Sequence, residues 1–286
     1  MSRFDEILAR AGDLPPFPAV FKQVMGLMSD PPVCADKILD AVEFDQAITA
    51  RIVKMCNSTI FGGGVPVVTL RDALFRIGDR RLLQVILSAA GTDLLDRELP
   101  GYNLARGELW THSMMCALLA ESLCDIVEYP SPARAFTAGL IHDVGKLAMG
   151  ESVARSYDAI REAIESGHIS FLEAETRVLG VNHAEIGGRL GEMWRFDPEM
   201  VDALRFHHAP AGATCGSRLP FLVHLSDILC LISGVGVGTD GLRYKVDYDL
   251  CRANGIGPRE FELAVIRLTE VEAQFHGIAA MFEREG

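Results

Sequence analysis

Between residues 13 and 95 the apolar positions recur at helical spacing in short runs, each bounded by a breaker: DLPPFP at the start, SDPP at 29–32, FGGG at 61–64 and Gly78. In AVEFDQAITARIVKMCNS, Ile48, Ile52, Met55 and Cys56 fall on one stripe, and Thr69 with Asp72 predicts a capping pair ahead of Leu74 and Ile77. From about residue 105 the runs lengthen. LWTHSMMCALLAESLCDIV places His112, Cys116, Leu119, Leu123 and Ile126 on one inward stripe, and LPFLVHLSDILCLIS is so apolar that its helix is expected to be buried all round. Residues 234–256 are glycine-rich and read as an irregular connection. After them Phe261, Val265, Leu268, Phe275, Ile278 and Phe282 predict a long final helix packed on the core or on a second copy, a homodimer in the latter case. The pattern predicts an all-α chain with a helical lobe over 1–100, a helical core over 101–233, and the connection with its C-terminal helix over 234–286.

TLRDALFRIGDRRLLQVIL also has the outline of a helix-turn-helix. Its second half is nearly all apolar from Leu82 to Ala90, which leaves no solvated face to read a groove, so the plain reading of two packed helices is preferred.

Composition narrows the class. The net charge of −12 repels a phosphate backbone, and the one basic cluster, Arg71, Arg76, Arg80 and Arg81, is equally well explained by helix-end charge, so no nucleic acid partner is expected. No run reaches the roughly 18 uncharged apolar residues of a membrane span, and MSRFDEILAR lacks the apolar centre of a secretion signal, so a cytoplasmic protein with no membrane partner is expected. The 7 cysteines form no C-x-x-C pair and read as reduced core residues.

Five segments carry chemistry. His112 heads a buried stripe, where a single histidine is more often a hydrogen-bonded core residue than a ligand. His142 and Asp143 are adjacent in the apolar helix AFTAGLIHDVGKLAMG, and an ionised carboxylate buried there costs several kcal/mol unless it meets a cation, a metal or a donor. His183 lies in the first turn of a helix that Asn182 caps and Glu185 reciprocates. His207 and His208 end the helix DPEMVDALRFHHAP, where they could simply complement the dipole. Asp227 has only His224 and Ser226 as local polar company. Each member has an ordinary explanation; the ordered set of H, HD, H, HH and D on separate helices is far less easily an accident. Imidazole and carboxylate suit zinc, iron, manganese or nickel.

That order resembles the HD superfamily of metal-dependent phosphohydrolases, most closely in HDVGK, HAEIGG and the double histidine. The resemblance implies one metal held by His112, His142, Asp143 and Asp227. It implies a second held by Asp143 as bridge with His183, His207 and His208, and Lys146 near a substrate phosphate. DLPPFPAV, FDQAITARIVKMCNSTIFG and TLRDALFRIG resemble the opening of the HDOD family, a bacterial signalling domain related to the HD hydrolases, and this likeness runs over about residues 13–232. It implies a regulatory module, although this chain keeps ligands that most such domains have lost. It lacks the glycine-tyrosine-proline segment of the HD-GYP phosphodiesterases, since HHAPAGATCGS follows the double histidine.

The expectation is therefore a signal-transduction protein holding two divalent ions, assigned as iron with manganese and zinc open, whose partner is a signalling protein or a phosphorylated small molecule. The alternative is an active phosphohydrolase on a nucleotide or cyclic nucleotide, with Asp143 and Lys146 at the reacting centre. A metal-free scaffold is the third reading.

Overall fold

A computed structural model of the chain describes residues 45–57, 66–235 and 246–282, with Gly238 and scattered positions before residue 45. The breakers DLPPFP, SDPP and FGGG, most of the glycine-rich connection, and Cys34 lie outside the described residues. Among those described, the fold is all-α: no strand forms, and one isolated bridge joins Leu99 to Leu104. No described helix is long and apolar enough to cross a membrane.

The chain divides into two compact units, residues 16–94 with 272–286, and residues 1–15 with 95–271. In the first, α1 (Gln46–Cys56) buries Ile48, Ile52 and Cys56 on one stripe. Asn57 clamps the chain beyond α1: its side chain donates to the Val67 carbonyl and accepts from the Val67 N–H, both at 2.7 Å. The expected pair forms at the next helix start, with Asp72 accepting from the Thr69 N–H at 2.9 Å and donating its own N–H to Thr69 Oγ1 at 3.1 Å. Helix α2 (Leu70–Leu95) is interrupted at Gly78, whose φ of 78° only glycine adopts without strain. Its continuation is buried from Leu82 to Ala90, as a packed helix requires and a groove-reading helix forbids.

The second unit is a bundle around α3 (Glu108–Ser122), which is buried over most of its circumference rather than along one stripe. The short α4 (Cys124–Val127) leads to α5 (Pro132–Ile141), which crosses α3 so closely that a Cβ on Gly139 would stand 2.8 Å from Ala117 Cα and from the Cys116 carbonyl. There follow α6 (Gly145–Arg155), α7 (Tyr157–Gly167), α8 (Phe171–Leu179), α9 (His183–Met193), α10 (Pro198–Phe206) and α11 (Leu219–Ser233). Helix α11 is buried without interruption from Leu219 to Leu231, consistent with its unbroken hydrophobicity.

After α12 (Tyr248–Ala253) comes α13 (Pro258–Phe282). Its buried stripe is Ala264, Leu268, Val271 and Phe275, whereas Val265, expected to face inward, is exposed with Leu263 and Ile266. Leu268 and Phe275 are buried as expected, Ala264 takes the inward place expected of Val265, and the side chains of Ile278 and Phe282 lie outside the described residues.

Two local devices hold the bundle in register. Gly145 lets α6 lie against the start of α9: a Cβ there would fall 1.9 Å from the His183 carbonyl oxygen. Asp202 on α10 is buried, and its Oδ2 accepts from the N–H groups of Thr214 (2.7 Å) and Cys215 (2.8 Å) and from the Thr214 hydroxyl (3.2 Å). Burial pushes its pKa up, but these donors outweigh burial and hold it below 3.8.

Gly145→Ala should lower stability by about 3 kcal/mol through overpacking, read as a lower denaturant midpoint at constant slope. Asp202→Asn should cost about 1–3 kcal/mol near neutral pH. Because the folded-state pKa is depressed, this contribution is present above the unfolded carboxylate value and is lost as pH falls through the folded one. The gap between wild type and variant should therefore close in unfolding curves taken below about pH 4.

Candidate metal centre

Five segments of the second unit deliver the polar side chains, each for a local reason. On α3, His112 and Cys116 lie one turn apart. The helix expected to run unbroken through HDVGK instead ends at Ile141, and a turn over 142–144 carries His142 and Asp143 before α6 begins at Gly145. The break follows from packing, since α6 must press Gly145 onto α9. His183 is the first residue of α9, and the expected capping box sets that start: Asn182 Oδ1 accepts from the Glu185 N–H at 2.9 Å and Glu185 Oε2 accepts from the Asn182 N–H at 3.4 Å. His207 caps the end of α10 with His208 next, and Asp227 lies midway along α11.

These side chains converge. Asp143 Oδ2 lies 3.5 Å from His142 Nε2 and 3.8 Å from His112 Nε2, while Asp143 Oδ1 lies 3.5 Å from His183 Nε2 and 3.7 Å from His207 Nε2. Asp227 Oδ1 is 3.1 Å from His112 Nε2 and 3.7 Å from His142 Nε2, and Asp227 Oδ2 is 3.6 Å from His208 Nδ1. The ligating atoms fall into two groups, each within 4.8 Å: His112, Cys116, His142 and Asp227, and Asp143, His183, His207 and His208. The two oxygens of Asp143 thus face different groups. Ligands bound at about 2.0–2.3 Å to one ion stand about 3.0–3.6 Å apart, and the nitrogen–oxygen distances given above run from 3.1 to 3.8 Å.

The outer ring nitrogens explain why the inner ones point inward. Nδ1 of His142 donates to the Gly139 carbonyl at 2.7 Å, Nδ1 of His207 to the Leu204 carbonyl at 2.8 Å, and Nδ1 of His112 to the Val235 carbonyl at 3.0 Å. A carbonyl can only accept, so each Nδ1 carries hydrogen. In a neutral ring that leaves Nε2 with its lone pair turned into the centre, as ligation needs. His224, a local candidate to partner Asp227, turns away and donates from Nδ1 to the His207 carbonyl at 2.6 Å, bracing the double histidine from behind.

Buried atoms of this cluster that make no hydrogen bond include His142 Nε2, Asp143 Oδ1, His207 Nε2 and Asp227 Oδ2. Such atoms cost about 1–3 kcal/mol each if left without a partner. Cations fit that demand, and the donor set of imidazoles, carboxylates and one thiol is of the right chemistry for them.

The electrostatics are those of charges held together away from water. Burial opposes ionisation of Asp143, but Lys146, His142, His183 and His112 outweigh it and hold its pKa well below 3.8. Lys146 supplies the nearest cation, with Nζ donating to Asp143 Oδ2 at 2.7 Å. Asp227 is lowered in the same way, with burial again opposed by His112, His142 and His208. Burial pushes His112 down, yet its bond to Asp227 and the charges of Asp227 and Asp143 raise it to about 9. His207 goes the other way, to about 3, through burial and the charge of His142, and His208 is depressed for similar reasons.

One partner chain was missed in the sequence. Glu175 on α8 is fully buried; its Oε2 accepts from His183 Nδ1 at 2.7 Å and from the His183 N–H at 3.1 Å, while its Oε1 accepts from the Tyr102 hydroxyl at 2.5 Å. Tyr102 stands edge-on to the His183 ring at 6.2 Å, with Lys146 Nζ 5.6 Å above its face. A usable signal existed, because Glu175 occupies the inward position one turn after Phe171, where an acid is out of place. Cys116, expected as a core residue, lies beside His112 Nε2, at 3.6 Å.

A model of the HDOD domain matches residues 14–210. An uncharacterized protein of Treponema pallidum is 24% identical over 203 residues, which cover 71% of this chain and 39% of that protein, so the chain spans about two fifths of this curated relative. An HDOD domain protein of unknown function from Geobacter sulfurreducens superposes with a TM-score of 0.75 at 25% identity, covering 97% of this chain and 98% of that one. A Marinobacter aquaeolei VT8 structure, named provisionally as a signal transduction protein, gives 0.71 at 22% identity over 94% of this chain and 59% of its own. A Shewanella amazonensis SB2B structure, named provisionally as a phosphohydrolase, gives 0.70 at 20% identity over 96% and 97%.

Glu175→Gln removes the charge that orients His183 while keeping its shape. It should weaken metal binding by about 10–100-fold, measured by competition with a chromophoric chelator, and Tyr102→Phe should weaken it less.

Proposed function

The chain belongs to the HDOD family, and on that premise we propose that it is a bacterial regulatory protein whose signalling core is organised by two divalent ions. His112, His142, Asp143 and Asp227 would hold one ion, and Asp143, His183, His207 and His208 the other. The observation that carries this reading is the position of Asp143, with one carboxylate oxygen toward each group of ligand atoms. The ions would supply positive charge that compensates the buried carboxylates and, where a phosphate can reach them, Lewis acidity.

A regulatory role is favoured by how closed the centre is. His142, His183 and His207 have no exposed surface, and Asp143 and Asp227 are almost as enclosed. Lys146, which would otherwise reach for a substrate phosphate, is buried and donates to Asp143. A cation bound here would tie α3, α6, α9, α10 and α11 through side chains from each element or its flanking turn, so occupancy couples directly to the order of the bundle. That is a means of converting metal supply into a change at a protein surface, with a signalling protein as the receiver. The name of the Marinobacter relative agrees with this reading.

Phosphoester hydrolysis is the second reading, favoured by the presence of Lys146 one helical turn from Asp143 and by the name of the Shewanella relative. Here Lys146 would turn from Asp143 to place a point charge on a nucleotide phosphate, and Asp143 would orient the reacting centre.

Elemental analysis of protein purified without chelators should find two ions per chain, with iron the expected metal and manganese or zinc the alternatives. Asp143→Asn should lose them and lower the melting temperature of the loaded protein. Nucleotides and cyclic dinucleotides should not be turned over; turnover that disappears in Asp143→Asn would favour the hydrolase, and a wild-type protein free of metal would reject both readings.

A further inference from the structure

We infer that Cys116 is a ligand of the first ion, which makes the pair chemically unequal: a thiolate-bearing position beside an imidazole-carboxylate one. This rests on the metal-centre reading above and adds to it a residue that the order of histidines and aspartates does not contain.

The geometry points there from several sides. Cys116 lies one turn after His112, so both side chains leave α3 on the same face. Its Sγ is 3.6 Å from His112 Nε2, and it falls with His142 and Asp227 inside a group whose ligating atoms all lie within 4.8 Å of one another. Where two ligands subtend a near-tetrahedral angle at an ion, with metal–nitrogen near 2.05 Å and metal–sulfur near 2.3 Å, sulfur and nitrogen are about 3.6 Å apart. The remaining members supply the independent demand for a cation: His142 Nε2 and Asp227 Oδ2 are buried and make no hydrogen bond. Gly139 gives α5 its close approach to the backbone at Cys116, which brings the His142 turn within reach of the thiol.

The chemistry balances simply. The divalent ion forms a bond to sulfur, the S–H bond breaks, and the proton passes to solvent, leaving a thiolate whose charge the ion shares with Asp227. With Asp143 as the bridge, a set of two imidazoles, two carboxylates and one thiolate favours zinc, iron(II) or cobalt(II) over magnesium and manganese. The second group, Asp143, His183, His207 and His208, contains no sulfur and discriminates less. The two positions should therefore load with different selectivity, which suits a protein that reports on the supply of one particular metal.

Cobalt(II) loading of the full chain tests this, because a thiolate ligand produces an intense near-ultraviolet charge-transfer band that nitrogen and oxygen ligands do not. Wild-type protein freed of metal and titrated with cobalt(II) should develop the band, and Cys251→Ser, which alters a buried cysteine on α12 outside the group, should keep it. Cys116→Ser and Cys116→Ala should lose the band while still taking up cobalt. Uptake by the wild type without the band, or a band that persists in both Cys116 variants, overturns the inference and leaves the metal-centre reading standing. No cobalt uptake by the wild type overturns both.

Discussion

Everything distinctive about this bundle follows from placing the carboxylate of Asp143 where water cannot solvate it. An ionised group in that position is tolerated only if positive charge or hydrogen-bond donors surround it closely. The chain meets the requirement with Lys146 on the next turn and with imidazoles from α3, α9 and the end of α10. Asp227 repeats the arrangement from α11, facing His112 and His142. The packing is arranged to make this convergence available: Gly139 and Gly145 remove side chains at two close backbone crossings, and α3 and α11 are buried around most of their circumference to serve as supports.

A second tier of contacts determines what the first can do. Each of His112, His142 and His207 spends its outer nitrogen on a backbone carbonyl, and His183 spends its own on Glu175. These bonds both aim the rings and select the tautomer, so that the inner nitrogens enter the centre as lone pairs or, where a carboxylate holds a proton on them, as His112 does, as cations. A metal ion and a proton compete for the same atoms at such a site. On the proposed metal-centre reading, the order of the core would depend on which positive species occupies it, and a helical bundle crosslinked by that choice would be suited to regulation.

HDOD membership and the likeness to several solved helical domains agree with the fold. The functional argument stands on the side chains themselves, since a shared fold hosts unrelated activities.

Much of this was legible in the chain. Helical periodicity marked the elements, the Asn182 and Glu185 capping pair marked the residue at which α9 begins, and the unbroken hydrophobicity of LPFLVHLSDILCLIS marked Asp227 as an acid in need of a distant partner. These are local properties, set by spacing and by the cost of burying charge. The seam of α13 was misjudged by one position at Val265, because periodicity alone cannot choose between adjacent apolar columns; the partner surface does. The break at the His142–Asp143 turn, the buried Glu175 with Tyr102 behind it, and the placing of Cys116 beside His112, His142 and Asp227 were decided only by tertiary structure. Each depends on how close two backbones remote in sequence can come, and that distance is a property of the packed bundle rather than of any segment within it.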